Sequence, residues 1–182
     1  MESSLLLLLT LFGYANAVPG SDIGPIGKID LLRVDPCPVK NNLKEKPTML
    51  VNFSPKSKLM NGNLSLPFPL DNTITTRTYL HQWTGSEWKK KVQKWENGKV
   101  CDYVNQYIQK LYKIFVDALE PKIKSKTCGI KKGNYKLVNL QTTAKQLGIP
   151  SIYYGRLKME IHVFKGKDEI FCIEGEADSK RN

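Results

Sequence analysis

Residues that carry most enzyme chemistry are scarce in this sequence. It has only two histidines, His81 and His162, and each falls within an alternating pattern typical of structural or surface residues in strands. The motifs of zinc proteases, serine hydrolases, P-loop nucleotidases and Cys-x-x-Cys redox proteins do not occur. A Ser-His-Asp triad assembled only by folding stays open. We therefore expect a protein that is not an enzyme and that needs no metal or other cofactor.

Long hydrophobic runs are also missing. The longest lies between Leu5 and Phe12 and is far shorter than the ~20 apolar residues that a transmembrane helix needs. The small-residue pattern Ala15-Asn16-Ala17 follows it, which is typical of a signal peptide cut after Ala17. We therefore predict a secreted, extracellular protein whose signal peptide comprises residues 1–17.

The remaining residues have the composition of one globular domain. Hydrophobic residues make up 41% and charged residues 25%, which argues against disorder despite a net charge of +11. We predict a flexible Gly- and Pro-rich arm at 18–27, one domain at 28–178 and a tail at 179–182. Because an extracellular protein rarely meets nucleic acid, the charge indicates a solvated basic surface. The alternative is contact with an anionic membrane surface or an acidic receptor.

Most of the domain alternates apolar and polar residues, which predicts half-buried strands. Residues 73–83 are rich in Thr, Ile, Tyr and Trp, and a Gly-Ser turn at Gly85 leads to a second strand through Trp88 and Trp95. The clearest strand places four apolar residues on one side: Leu157, Met159, Ile161 and Val163. A turn at 165–168 then leads into a last strand. We predict a mainly β fold of antiparallel sheets.

One amphipathic helix, at about 101–119, interrupts the strands. Its apolar residues recur at spacings of three and four: Cys101, Val104, Ile108, Leu111, Phe115 and Ala118. The ordinary interpretation is a helix packed on a sheet. The alternative is that its aromatic residues rim an opening for a ligand or touch a membrane surface: Tyr103, Tyr107, Tyr112 and Phe115.

The four cysteines predict two disulfides in an oxidising compartment. Cys101 opens a helix roughly 27 Å long that ends at Pro121, and an extended return to Cys128 spans about the same distance. This geometry favours Cys101 with Cys128, which leaves Cys37 near the first strand to pair with Cys172 in the last.

Two glycosylation sequons support secretion independently. They are Asn52-Phe53-Ser54 and Asn63-Leu64-Ser65, and both asparagines fall on the polar side of their predicted strands. Pro55 directly after Ser54 makes Asn52 the weaker candidate.

The order of these features resembles a known family. The features are Cys37, the run Asn61-Gly62-Asn63, the run 66–71 (Leu-Pro-Phe-Pro-Leu-Asp), Gly85 with Trp88, the helix opening Val100-Cys101-Asp102-Tyr103-Val104, the run 128–137 beginning Cys-Gly-Ile-Lys-Lys-Gly, the pair Ile149-Pro150, and Cys172 in the final hairpin. Across nearly the whole mature chain the sequence resembles the lysosomal ganglioside activators within the lipid-recognition (ML) group. It is most similar to their insect secreted branch associated with chemosensation.

The resemblance implies a fold and a ligand class. The family fold is an antiparallel β-sandwich or cup with an apolar cavity for acyl chains, and it implies the same two disulfides. The sequence departs from the family at Gly129, where Pro is common, and it lacks the additional cysteines of the ganglioside activators. The second departure argues against a lysosomal role and leaves the cavity as the shared property.

We therefore predict a secreted protein that sequesters or presents an apolar ligand such as a fatty acid, glycolipid, hydrocarbon or pheromone. Its alternative is an interaction module whose basic surface binds an extracellular receptor or acidic partner. Large aromatic and aliphatic walls suit an apolar cavity. The residues predicted to form its wall are Trp83, Trp88, Trp95, Leu111, Phe115, Leu157, Met159 and Ile161, although the tryptophans also fit an ordinary core.

Overall fold

Two antiparallel sheets make up most of the structure, a computed structural model that describes residues 23–39, 41–123, 128–141 and 150–182, without the side chain of residue 97. The strands are β1 (Ile23–Pro25), β2 (Lys28–Pro36), β3 (Thr48–Ser54), β4 (Leu59–Leu66), β5 (Ile74–Trp83), β6 (Trp88–Lys99), β7 (Leu119–Glu120), β8 (Gly133–Gln141), β9 (Ser151–Tyr153), β10 (Gly155–Lys165) and β11 (Asp168–Lys180). The fold is an antiparallel β-sandwich or cup with a single short helical segment, so the predicted mainly β class is confirmed.

One sheet has five strands and the other has four. Their orders are β2-β11-β10-β5-β6 and β3-β4-β8-β7, and β1 pairs separately with β9. Both predicted hairpins are present, β5 with β6 and β10 with β11. Because side chains alternate along each strand, one face of each sheet points inward to the other sheet and one points outward.

The packed core lies between the sheets at one end of β5. Ile74 and Leu119 are fully buried, and Ile170 is nearly so. The other members of the buried cluster come mainly from the four-stranded sheet: Met60, Leu64, Leu66, Ile130, Tyr135, Leu137, Leu140 and Phe171. On β10 the residue packed against this cluster is Val163.

The helical segment closes one side of the sandwich. It consists of α1 (Val100–Tyr103), a π-helical stretch (Val104–Ile108) and α2 (Gln109–Asp117). The predicted helix at 101–119 is confirmed in place but ends earlier, because Leu119 joins β7, pairs with Leu137 and becomes fully buried. No helix among the described residues is long and apolar enough to cross a membrane.

Both predicted disulfides are present. Cys37 is bonded to Cys172 and Cys101 to Cys128, with Cα atoms 5.0 and 5.4 Å apart. The first joins the end of β2 to the last strand, and the second holds the start of α1 to the segment before β8.

Two of the predicted boundaries differ from the structure. Residues 18–22 of the predicted flexible arm lie outside the described residues, but Ile23–Pro25 forms β1 and pairs with β9. The Tyr154 hydroxyl donates a hydrogen bond to the Pro25 carbonyl at 2.7 Å, which holds β1 in place. The predicted tail at 179–182 is also too long, because β11 continues to Lys180 and Ser179 is buried.

Candidate functional site

The inner face of the five-stranded sheet carries half of the apolar residues predicted to line a cavity. Register pairs Met159 with Leu80, and Ile161 with Thr78, so these side chains share one face. Trp95 pairs with Thr78 on the other side of β5 and faces the same way. The alternation that predicted an apolar side for residues 157–163 therefore coincides with the inner face.

Met159 is exposed although it faces inward. Its side chain is 37% exposed, whereas the neighbours Leu80 and Leu157 are 6% and 4% exposed. Gly175 pairs with Met159 on β11, and a Cβ added there would meet only the Arg33 carbonyl oxygen, at 3.8 Å. The inner face of the sheet therefore has open space beside the exposed Met159 side chain. Elsewhere this same face forms the packed core.

Two hydroxyl groups lie close to this apolar surface. Thr78 is fully buried, and its hydroxyl lies near the Tyr103 hydroxyl. Burial raises the pKa of Tyr103, and the nearby Thr78 hydroxyl partly opposes that rise. Tyr103 is therefore uncharged at neutral pH, as expected for a polar group beside an apolar surface.

The three tryptophans do not share a face. Trp83 pairs with Trp88, and their rings meet edge to face with centroids 5.4 Å apart. Alternation from the buried Ile74 puts Trp83 on the outer face, where the Lys158 ammonium lies 5.3 Å from the Trp88 ring centroid. From the sequence alone, counting in steps of two from Ile74 would have placed Trp83 on the face opposite the inward-facing residues.

The two predicted wall residues on the helical segment are half-buried. Phe115 packs against the core cluster, and Leu111 lies one turn before it on α2. α2 lies against β8 of the four-stranded sheet. Of the eight predicted residues, the structure places Trp95, Leu157, Met159 and Ile161 on one face, Leu111 and Phe115 on α2, and Trp83 and Trp88 outside.

A second apolar feature was not predicted from the sequence. A pocket of about 470 Å³ opens between the segment before β5 and the segment after β7. Its lining includes Leu70, Ile123, Ile130 and Tyr135, with Lys122 and Lys131 also contributing. Leu70 and Ile130 are joined by backbone hydrogen bonds of 2.8 Å in both directions. No short-range pattern could reveal this pocket, because it depends on that long-range pairing.

The outer face of the five-stranded sheet carries a network of charges. Arg33 bonds to Asp35, Glu174 and Glu176, and Arg156 lies 2.9 Å from Glu176. His81 is buried, and this burial lowers its pKa. Its Nε2 lies 3.4 Å from a Glu160 oxygen.

His162, on the outer face of the five-stranded sheet, lies near other side chains of the types that bind metal ions. His162 Nδ1 lies 2.5 Å from a Glu169 oxygen, and Cys172 Sγ completes a group whose ligand atoms are within 4.8 Å of one another. Cys172 is bonded to Cys37 and offers no thiolate, so the group has two ordinary ligands. Structural and catalytic zinc sites use three or four protein ligands, and this pair does not fit such a site.

No protein-family model matches the chain, and no curated protein matches it.

Proposed function

We propose that this protein is secreted and binds an apolar, lipid-like ligand against the inner face of its five-stranded sheet. The exposure of Met159 on that face carries the proposal, because an inward-facing apolar side chain normally contributes to the packed core. A ligand that covers this surface removes apolar area from water, and each 100 Å² covered contributes about 2.5 kcal/mol before the costs of ordering.

The surroundings of Met159 indicate the class of ligand. Ile161, Trp95 and Gly175 offer aliphatic, aromatic and open surface, which suits an acyl or hydrocarbon chain. The ligand is therefore a fatty acid, glycolipid, hydrocarbon or pheromone, and the similarity to the chemosensory branch of the lipid-recognition group supports a role in sequestering or presenting it. The buried Thr78 hydroxyl and the half-buried Tyr103 hydroxyl are polar groups available to a ligand oxygen.

Secretion is part of the same proposal. Two disulfides are consistent with an extracellular protein, since thiols stay reduced in the cytosol. The apolar run between Leu5 and Phe12, the cleavage pattern that ends at Ala17 and the two sequons point the same way.

A second candidate function rests on the exposed tryptophan at the end of β5. Trp83 is 37% exposed, and the exposed Lys89 and Lys90 follow Trp88 on the paired strand. Exposed aromatic and basic residues together favour contact with an acidic receptor or an anionic membrane surface. In this alternative the protein acts as an interaction module and the inner face has no ligand.

Titration with an apolar fluorescent probe tests the main proposal. The protein is purified from a eukaryotic secretion host, extracted with solvent to remove lipid, refolded and titrated with a naphthylamine probe and with fatty acids as competitors. Met159→Glu places a charge on the inner face and is expected to weaken probe binding at least about tenfold, because an apolar ligand would desolvate the carboxylate.

Leu50→Glu is the matched control. Leu50 is also an exposed apolar residue in a strand, but it lies on the outer face of the other sheet, so probe binding should not change. Absence of probe binding by the unmodified protein, or equal loss in both variants, would overturn the proposal. Binding to acidic partners that is lost in Trp83→Ala and retained in Met159→Glu would support the second candidate.

A further inference from the structure

The outer face of the four-stranded sheet carries no charged side chain on its strands β3 and β4. Its exposed positions on β3 and β4 are Thr48, Leu50, Asn52, Ser54, Asn61 and Asn63. Leu50 is 61% exposed, which makes it the most exposed of the large apolar side chains described. This face differs from the charged outer face of the other sheet and offers hydroxyl, amide and apolar contacts.

A shallow pocket lies on this face beside one of the sequon asparagines. It has a volume of about 410 Å³, and Asn63 belongs to its lining. The other lining residues are Thr48, Leu64, Ser65, Glu120, Pro121, Asn134, Tyr135 and Lys136. Its lining combines hydroxyl, amide and charged side chains with a larger apolar surface, and the Ser65 hydroxyl donates a hydrogen bond to Asn134 Oδ1 at 2.7 Å.

Asn63 stands between the pocket and Leu50. Register pairs Asn63 with Leu50 on β3 and with Lys136 on β8. Directly paired side chains of antiparallel strands lie within about 5.5 Å at Cβ. A group attached to Asn63 is therefore placed to reach the pocket on one side and Leu50 on the other.

We propose that Asn63 carries an N-linked glycan whose first sugars occupy this pocket and extend over Leu50. Sugar rings combine hydroxyls, which can bond to the amide and hydroxyl groups of the lining, with apolar C–H faces, which match the apolar part of the lining and the leucine. The outer face of the four-stranded sheet is thus covered by the chain's own carbohydrate, and ligands and partners use other surfaces. The proposal rests on the secretion proposed above, because the attachment takes place in the secretory pathway.

The attachment needs one co-reactant, an oligosaccharide linked to a lipid diphosphate. Nδ2 of Asn63 forms a bond to the anomeric carbon of that oligosaccharide, and the bond from this carbon to the diphosphate oxygen breaks. The lipid diphosphate leaves with the bonding electron pair, and the amide nitrogen loses one proton to a base of the transferase.

Asn52 is the weaker acceptor on the same face. Pro55 follows its sequon directly and restricts the backbone of Ser54. Asn52 also does not line the pocket, which reaches Asn63 and Thr48. The two sequons therefore form a natural comparison in one chain.

Covering Leu50 also protects an edge. β3 is an edge strand of the four-stranded sheet, and Leu50 is its third residue. An exposed edge strand with an apolar side chain invites pairing with another molecule, and proteins commonly block such edges. A glycan at Asn63 blocks it without adding a charge.

Intact mass and glycopeptide mapping test the site of attachment. The full chain is expressed in a eukaryotic secretion host twice, once with its own residues 1–17 and once with a proven secretion leader in their place. With the proven leader we expect one glycan, present in Ser54→Ala and absent in Asn63→Gln and in Ser65→Ala. A bare Asn63, or a glycan on Asn52 alone, would overturn the proposal.

The two leaders separate this proposal from the proposal of secretion. If the chain is secreted and glycosylated only with the proven leader, the native secretion proposal fails while the Asn63 site stands. If the chain is secreted with both leaders but carries no glycan at Asn63, the site fails alone.

Hydroxyl-radical footprinting tests where the glycan lies. Oxidation of Leu50 should be at least about threefold lower in the glycosylated protein than in Asn63→Gln. Met159 serves as the internal control, since it is exposed on a different face and its oxidation should not change. Equal oxidation of Leu50 in both proteins would mean that the glycan points away from the sheet, which contradicts the proposed position.

Discussion

At the scale of single residues, Glu176 on the outer face of the five-stranded sheet is paired with two arginines. Glu176 is buried between Arg33 and Arg156 and accepts hydrogen bonds from both guanidinium groups. Burial acts to raise the pKa of Glu176, but the hydrogen bonds and charges of Arg156 and Arg33 outweigh it and lower the pKa. The carboxylate is therefore stabilised in its charged form in the folded protein.

Glu176→Gln should destabilise the fold by about 1–3 kcal/mol, because it removes charge-assisted hydrogen bonds to two arginines. The folded pKa of Glu176 lies below its unfolded value of about 4.3, so its stabilisation is present above that pH and is lost as the pH falls towards the folded pKa. Denaturant unfolding at pH 6 and at pH 3 measures both effects. The difference in stability between wild type and Glu176→Gln should shrink at pH 3, and an unchanged difference would contradict the assignment.

Much of the placement of single side chains was predictable from alternation alone. The inward direction of Leu157, Met159 and Ile161 follows from the period of two in β10. The grouping of Trp83 with Trp95 was not correct, because richness in aromatic residues says nothing about which face a residue occupies. The exposure of Met159 could not be predicted, since it depends on the absence of a side chain at Gly175, which is its neighbour only in the folded sheet.

At the scale of elements, β1 and β9 form a small sheet of their own held by one tyrosine. A Cβ added at Gly24 would lie 2.5 Å from the Tyr154 hydroxyl oxygen, so only glycine lets the ring pack there. The Gly- and Pro-rich composition predicted a loose arm, because composition does not reveal a partner strand more than 120 positions away.

Gly24→Val should release β1 from β9 while leaving the two main sheets folded. The added side chain collides with the Tyr154 ring, and this small sheet shares no strand with the larger ones. Hydrogen exchange should therefore become faster at the amides of residues 23, 24 and 151–153 and stay unchanged in β5 and β10. Tyr154→Phe, which removes only the hydrogen bond to Pro25, should have a smaller effect of the same kind. Faster exchange throughout the protein would show that β1 supports the whole fold.

At the scale of the whole molecule, the two disulfides close loops of very different length. Cys37 and Cys172 are separated by 135 positions, and Cys101 and Cys128 by 27. Both pairings were predictable, because four cysteines allow three pairings and the length of the helix favours one.

Replacing Cys37 and Cys172 together by Ala should destabilise the protein more than replacing Cys101 and Cys128. In the chain-entropy model the longer loop contributes about 5 kcal/mol and the shorter about 3.5 kcal/mol, and native-state strain reduces both. Denaturant unfolding of the two double variants measures the order. A larger loss of stability on removing the Cys101–Cys128 bond would mean that holding α1 in place stabilises the protein more than restricting the conformational entropy of the unfolded chain does.

The sequence by itself determined the strand pattern, the approximate helix, the disulfide pairing and which side of each strand is apolar. These properties depend on local periodicity and on the reach of short segments, which are written into consecutive residues. Only the tertiary structure decided that Met159 stays exposed beside Gly175, that Leu50 pairs with Asn63, and that Leu70 meets Ile130 across a pocket. Each of these depends on strand register and sheet order, because residues far apart in the chain become neighbours only when the sheets form.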